Sequence, residues 1–113
     1  MSAMKLTPDE QTWLDTYHQA LRERFPGLIE DIIIFGSKAR GDAGPDSDVD
    51  VLVVLHEGER ETKKAVRRLG HELAVLSDAV PSIMVYTKAE WMERGQSGSP
   101  FYRAVMRDGV QVS

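Results

Sequence analysis

The chain of 113 residues contains no cysteine, which excludes disulfides and thiolate metal sites. No apolar run approaches the roughly 20 residues that a membrane span needs. Met1 to Glu10 carries no apolar core of the signal-peptide kind, so the expected location is the cytoplasm. Positive charge is not in excess either. Fourteen Lys and Arg stand against eighteen Asp and Glu, a formal charge of −4, which argues against a chain that grips nucleic acid by bulk charge. A nucleotide is not excluded, because a local nest of backbone N–H groups and a metal ion outweigh net charge at such a site. Internal repeats and low-complexity segments are missing, as are the GxxxxGKS/T loop and the GxGxxG fingerprint. His18, His56 and His71 lack metal-ligand spacing, and are read as surface or half-buried side chains.

What is present is an ordinary globular composition, 42% hydrophobic and 28% charged, and a length that fits one domain over residues 1–113. Thr7-Pro8-Asp9-Glu10 reads as a helix start, with Thr7 as N-cap, Pro8 at the first helical position and acidic residues in the first turn. Leu14, Tyr17, Leu21 and Phe25, with Trp13 alongside, form one apolar stripe that Pro26-Gly27 ends. Leu28–Phe35 and Val80–Thr87 read as strands, and the nearly continuous apolar run Val49–Leu55 as a strand covered on both faces. Glu59–Ser77 carries Val66, Leu69, Leu73 and Leu76 at helical spacing, with Lys63, Lys64, Arg67 and Arg68 as a solvated face or else a partner-binding or nucleic-acid patch. Ala89–Arg94 is a short helix and Gly95-Gln96-Ser97-Gly98 a flexible break. Ser99-Pro100 opens a last helix that turns Phe101 and Val105 inward, with Ala104 beside them, until Gly109. Trp91, Phe101 and Tyr102 are read as core. The order is that of an α/β domain, a small mixed sheet flanked by helices.

Two neighbouring stretches carry the chemistry. Ile34-Phe35-Gly36-Ser37-Lys38-Ala39-Arg40-Gly41 places a glycine and a hydroxyl where a strand turns into a short helix. Amides at such a turn point outward with the positive end of the helix dipole. Ser37 can donate to a phosphate oxygen, Arg40 adds a guanidinium at the same mouth, and Gly36 permits close backbone approach. After a short loop come Ser47-Asp48-Val49-Asp50 and then Val51 to Val54. Residues i and i+2 of a strand share a face, so Asp48 and Asp50 should lie side by side. Like charges so placed repel unless a cation lies between them or one takes up a proton. Magnesium suits such oxygen ligands, together with substrate phosphates. Asp46, in the turn before them, is read as a solvated carboxylate.

This pairing resembles the polymerase-beta-like nucleotidyltransferases, most closely their minimal nucleotidyltransferase branch, in which Gly-Ser-x-Ala-Arg-Gly precedes a Ser-Asp-x-Asp-x-x-Val strand. The match is Gly36 to Gly41 and Ser47 to Val53. The helix before the motif and the segments Tyr86 to Trp91 and Ser99 to Tyr102 also look like that branch. The resemblance implies that Gly36 and Ser37, with Arg40, hold the triphosphate, and that Asp48 and Asp50 bind Mg²⁺ and are the catalytic pair. It further implies transfer of AMP from ATP to an acceptor hydroxyl, and a helical HEPN-type partner whose antitoxin this chain would be. A third carboxylate is usual on the next core strand. Here that strand reads Val80-Pro81-Ser82-Ile83-Met84-Val85-Tyr86, and the aligned position is Ser82, which is no anionic ligand and no base near neutral pH. Glu72 and Asp78 are the nearest substitutes, one on a helix and one in a turn.

Two readings therefore stand side by side. One is an adenylyltransferase acting on a partner protein; the other is a non-catalytic nucleotide-binding or partner-neutralising module with a degenerate site. Adenylylation of a small molecule is a third, disfavoured because no acceptor domain is expected after Ser113.

Overall fold

The computed structural model describes residues 4–44 and 47–112, so the expectation for Asp46 lies outside the described residues. The elements follow in the order α1 (Pro8–Arg24), β1 (Ile29–Phe35), α2 (Gly36–Arg40), β2 (Val49–Leu55), α3 (Arg60–Ala74), β3 (Pro81–Thr87), α4 (Lys88–Gln96), α5 (Pro100–Asp108) and β4 (Val110–Gln111). The sheet order is β3-β2-β1-β4, with β1 antiparallel to β2 and β4, and β2 parallel to β3. The mixed α/β architecture expected from the sequence is the one observed.

Alternation along the strands builds two cores. Ile32, Ile34, Val49, Val51, Val53, Ile83 and Val85 pack with Trp13, Tyr17, Leu21, Val66 and Leu69 of α1 and α3. The opposite face sets Leu52 and Val54 with Trp91 and Val105, joined by Met84, Tyr86, Phe101 and Tyr102. Trp91 lies 4.8 Å from the Tyr102 ring and 5.8 Å from that of Phe101, which places these aromatics in the core as the sequence implies. Helices α1 and α3 lock through the Trp13 indole N–H on the Gly70 carbonyl (2.9 Å) and the Tyr17 hydroxyl on that of Val66 (2.8 Å). A Cβ on Gly70 would run into Tyr17 and Ile83.

The structure corrects three boundaries. The Glu59–Ser77 segment leaves the helix after Ala74, where Val75, Leu76 and Ser77 bond to carbonyls only three residues back. That tighter turn advances the chain out of the 3.6-residue stripe, and Leu76 ends 88% exposed instead of facing the core. Gly95 and Gln96 belong to α4 and are no flexible break. The Tyr102 ring lies over Gly95, where a Cβ would meet it at 2.7 Å, so this glycine serves helix contact; the chain turns instead at Gly98 (φ 74°). The last strand, β4, is two residues long, too short for a periodic signal. Lys63 is also more than a solvated side chain: it bonds Glu90 at 2.7 Å, tying α3 to α4. The histidines lie as read, with His18 half-buried and His56 and His71 exposed.

Candidate functional site

The site forms where β1 ends and β2 and β3 begin. The register sets Phe35 of β1 beside Asp50, and Asp50 beside Ser82 of β3. The chain leaves β1 through Gly36 at φ 72°, a left-handed conformation that glycine adopts without a Cβ penalty. The five-residue α2 starts there and closes on Gly41 (φ 82°), whose N–H donates to the Ser37 carbonyl at 2.9 Å. Gly36 has a second reason to lack a side chain: a Cβ would collide with Oδ2 of Asp50. The first turn of α2 and the Asp50 carboxylate are thus pressed together, as the paired motif implied.

A buried clamp that sequence reasoning missed orients this turn. Lys38, the unspecified position of the glycine-serine motif, donates to Glu10 at 2.9 Å, with side chains only 5% and 9% exposed. The same Glu10 oxygen accepts the Thr7 N–H at 2.9 Å, while the Thr7 hydroxyl takes the Glu10 N–H at 3.1 Å. Lys5 adds a backbone bond to the Lys38 carbonyl at 2.8 Å. The signal in the sequence was the Thr7-x-x-Glu10 capping box, though nothing local tells that its glutamate will also meet a lysine.

Asp50 is half-buried and Asp48 exposed. Burial pushes the Asp50 carboxyl above the usual carboxylate range, the charge of Asp48 pushes it further, and Arg40 opposes both. The charge of Asp48 thus acts on Asp50, and Arg40 lies within electrostatic reach of Asp50. Arg40 itself pairs with Asp42 at 3.2 Å and stands 4.0 Å from Asp108. Ser37 is half-buried in the first turn of α2. All five residues expected at the site, Gly36, Ser37, Arg40, Asp48 and Asp50, belong to this one end of the sheet. Glu72 and Asp78 lie towards the α1–α3 layer: Glu72 lines a cleft with Arg24, Phe25 and Arg68, and Asp78, in the turn before β3, one with Asp9 and Thr12.

The donor set is hard oxygen, two carboxylates against a glycine cradle, and among the described residues no group of three or more His, Cys, Asp or Glu could hold a metal by itself. Such a set suits Mg²⁺, which binds through one or two carboxylates and completes its shell with water and substrate phosphates.

A mixed sheet that sets a glycine-serine turn against a carboxylate at a strand start suits a site for phosphate and a metal ion. Comparison with known proteins makes this specific. The family model described as "Nucleotidyltransferase domain" matches residues 14–103, and the chain belongs to that family. It is 42% identical over 55 residues to the protein adenylyltransferase MntA of Thermococcus cleftensis, covering 49% of this chain and 54% of that one. The chain spans about half the length of the curated relatives it matches first. Among solved structures it is similar to a mutant form of an MntA-containing toxin–antitoxin complex, with TM-score 0.59 and 20% identity over 96% of this chain and 73% of that one. It is also similar to a tri-AMPylated Shewanella oneidensis HEPN toxin in complex with MNT antitoxin, with TM-score 0.52 and 19% identity over 89% and 69% of the two chains. These likenesses show the fold. Among the described residues no helix is long and apolar enough to cross a membrane.

Proposed function

We propose that this chain is a Mg²⁺-dependent nucleotidyltransferase that moves AMP from ATP to a hydroxyl on a partner protein, as the antitoxin of a pair with a HEPN-type toxin. The observation that carries the reading is the close approach of the Asp50 carboxylate to Gly36 at the start of α2, with the charge of Asp48 acting on it. The names of the curated adenylyltransferase and of the AMPylated complex support the choice of AMP and of a protein acceptor.

Asp48 and Asp50 would hold the ion, which supplies charge neutralisation on the triphosphate when bound. Gly36 lets the triphosphate approach the backbone, and Ser37 donates to a phosphate oxygen. Arg40, at the same mouth, stabilises negative charge on the leaving side. The acceptor oxygen attacks the α-phosphorus, the bond from that phosphorus to the bridging oxygen breaks, pyrophosphate leaves, and the hydroxyl proton passes to water. The clamp of Lys38 on Glu10 contributes by fixing the turn, since positioning supplies much of such a step.

A second reading keeps one specific observation in its favour. Asp50 stands in register with Ser82, and the substitute carboxylates Glu72 and Asp78 lie towards the α1–α3 layer. The chain would then bind nucleotide and neutralise its partner without transfer. Incubation of α-labelled ATP with the chain and candidate partners separates the two. Labelled partner is expected with the wild type, and at least ~10²-fold less with Asp48→Asn, Asp50→Asn. A stable complex that stays unlabelled with both Mg²⁺ and Mn²⁺ would leave only the second reading.

A further inference from the structure

In the order β3-β2-β1-β4, β3 has a strand on one side only among the described residues. The Val80 carbonyl accepts the Val49 N–H at 3.0 Å, so the polar backbone groups of Val80 point into the sheet. Alternation along an extended strand then turns those of Pro81, Ile83 and Val85 outward. Pro81, with no N–H to give, stands at an outward position, as proline does at sheet edges. Ile83 and Val85 keep 8% and 7% of their surface, whereas their neighbours Val51 and Val53 in β2 keep none. The difference fits an uncovered backbone edge.

That edge adjoins the site. Ser82 is exposed, and it shares its face with Asp50, Met84 and Tyr86. A residue on an added strand beside Ser82 would stand two strand spacings, roughly 10 Å, from Asp50. Ser82, small and exposed, is the β3 residue between the two in register, which leaves room for a bound triphosphate and an acceptor side chain to meet there. At the entry to this edge Val80 is exposed, and Val75 and Leu76 in the preceding turn are more so.

We propose that the acceptor protein presents its hydroxyl on an extended segment that pairs with the outer edge of β3 between Pro81 and Val85, passing over Ser82 towards Asp50. This rests on the transfer reading above. Pairing through main-chain bonds gives such a segment affinity, and its alternate side chains give specificity. Residues at the Val80 end of the segment are apolar, covering Val75, Leu76 and Val80. In this arrangement Ser82 is the open lane between edge and phosphate.

The test uses the whole ¹⁵N-labelled chain with Mg²⁺ and ATP or a non-hydrolysable analogue. The probes are blocked heptapeptides of alternating valine and threonine around one central tyrosine or serine. Amides of Ile83 and Val85 should shift and exchange at least ~10-fold more slowly with peptide, while those of Met84 and Tyr86, directed at β2, stay unchanged. N-methylation of the peptide should abolish the effect at alternate positions only. Ser82→Leu should lower peptide labelling by about tenfold and leave the Ile83 and Val85 protection in place. Unchanged Ile83 and Val85 amides at millimolar peptide, or equal loss at every N-methyl position, would overturn the proposal. Protection of both amides with no labelled peptide would support edge pairing and count against transfer; label without protection would do the reverse.

Discussion

The same short helix, α2, is held between two carboxylates that have opposite fates. Glu10 is almost fully buried, yet it is answered: at Oε1 Lys38 supplies a charge and Thr7 an N–H. Asp50 is less buried, and after burial the charge that acts on it most is that of another aspartate, Asp48. Among the described residues no Lys or Arg pairs with Asp48 or Asp50 within ion-pair distance. Burial alone therefore does not single out a candidate for metal binding. A charge that the chain leaves for something else to balance is the better sign, and it appears where a glycine has cleared the space.

Breaking the satisfied carboxylate should have the largest effect. Glu10→Ala leaves the Lys38 ammonium buried and unpaired, a change that costs about 3–5 kcal/mol where a buried pair is broken. Urea denaturation should show it as a lower midpoint. The double replacement Glu10→Leu, Lys38→Met removes both charges and should recover most of that loss. If the double variant were as unstable as the single one, the clamp would matter through packing and not through charge.

Gly36→Ala tests the meeting point of the two regions. Backbone strain at φ 72° costs about 1–3 kcal/mol for a residue with a Cβ, and the methyl group would also drive the Asp50 carboxylate away. A modest fall in thermal midpoint should accompany a much larger loss of Mg·ATP affinity by calorimetry. Loss of stability with intact affinity would separate Asp50 from the nucleotide.

The contrast was only half legible in the sequence. Gly36 and Asp50 could be placed at one end of the sheet because each is local, a glycine at a strand end and a carboxylate at a strand start; Asp48 lies just outside β2 and is exposed where Asp50 is half-buried. The apolar run Val49–Leu55 likewise announced a strand buried on both faces, and it is the strand whose buried side chains enter both cores. The partnership of Glu10 with Lys38 joins residues 28 positions apart in sequence, and no periodicity encodes such a meeting. Leu76 misled for a related reason. Its spacing continues the α3 stripe, but the helix tightens before reaching it, and a pattern of residue types does not register a change of pitch. Gly95 looked like a break because glycine disfavours helices, while its actual constraint, the Tyr102 ring, lies on the next helix.

The smallest expected effect is in pH, and it sharpens the comparison through its sign. Burial and Asp48 raise the Asp50 carboxyl in the folded state, so the native chain binds this proton more tightly than the unfolded chain. Above the folded value both states are ionised and the cost of the crowded carboxylate is fully present; as pH falls through that value towards the unfolded one near 3.9, the cost is relieved. Glu90 runs the other way. The hydrogen bond from Lys63 and then that from the Thr87 backbone hold it below the usual range, so its contribution is present above the unfolded value and lost as pH falls through the folded one. In metal-free buffer Asp50→Asn should therefore raise the thermal midpoint near neutrality, with the gain shrinking towards pH 4. Glu90→Gln should lower the midpoint near neutrality, with the loss shrinking at still lower pH. Added Mg²⁺ should raise the midpoint of the wild type and of Glu90→Gln, but not that of Asp50→Asn. If Asn at position 50 destabilised the chain at neutral pH, Asp50 would be a satisfied carboxylate like Glu10, and the distinction between the two regions would fail.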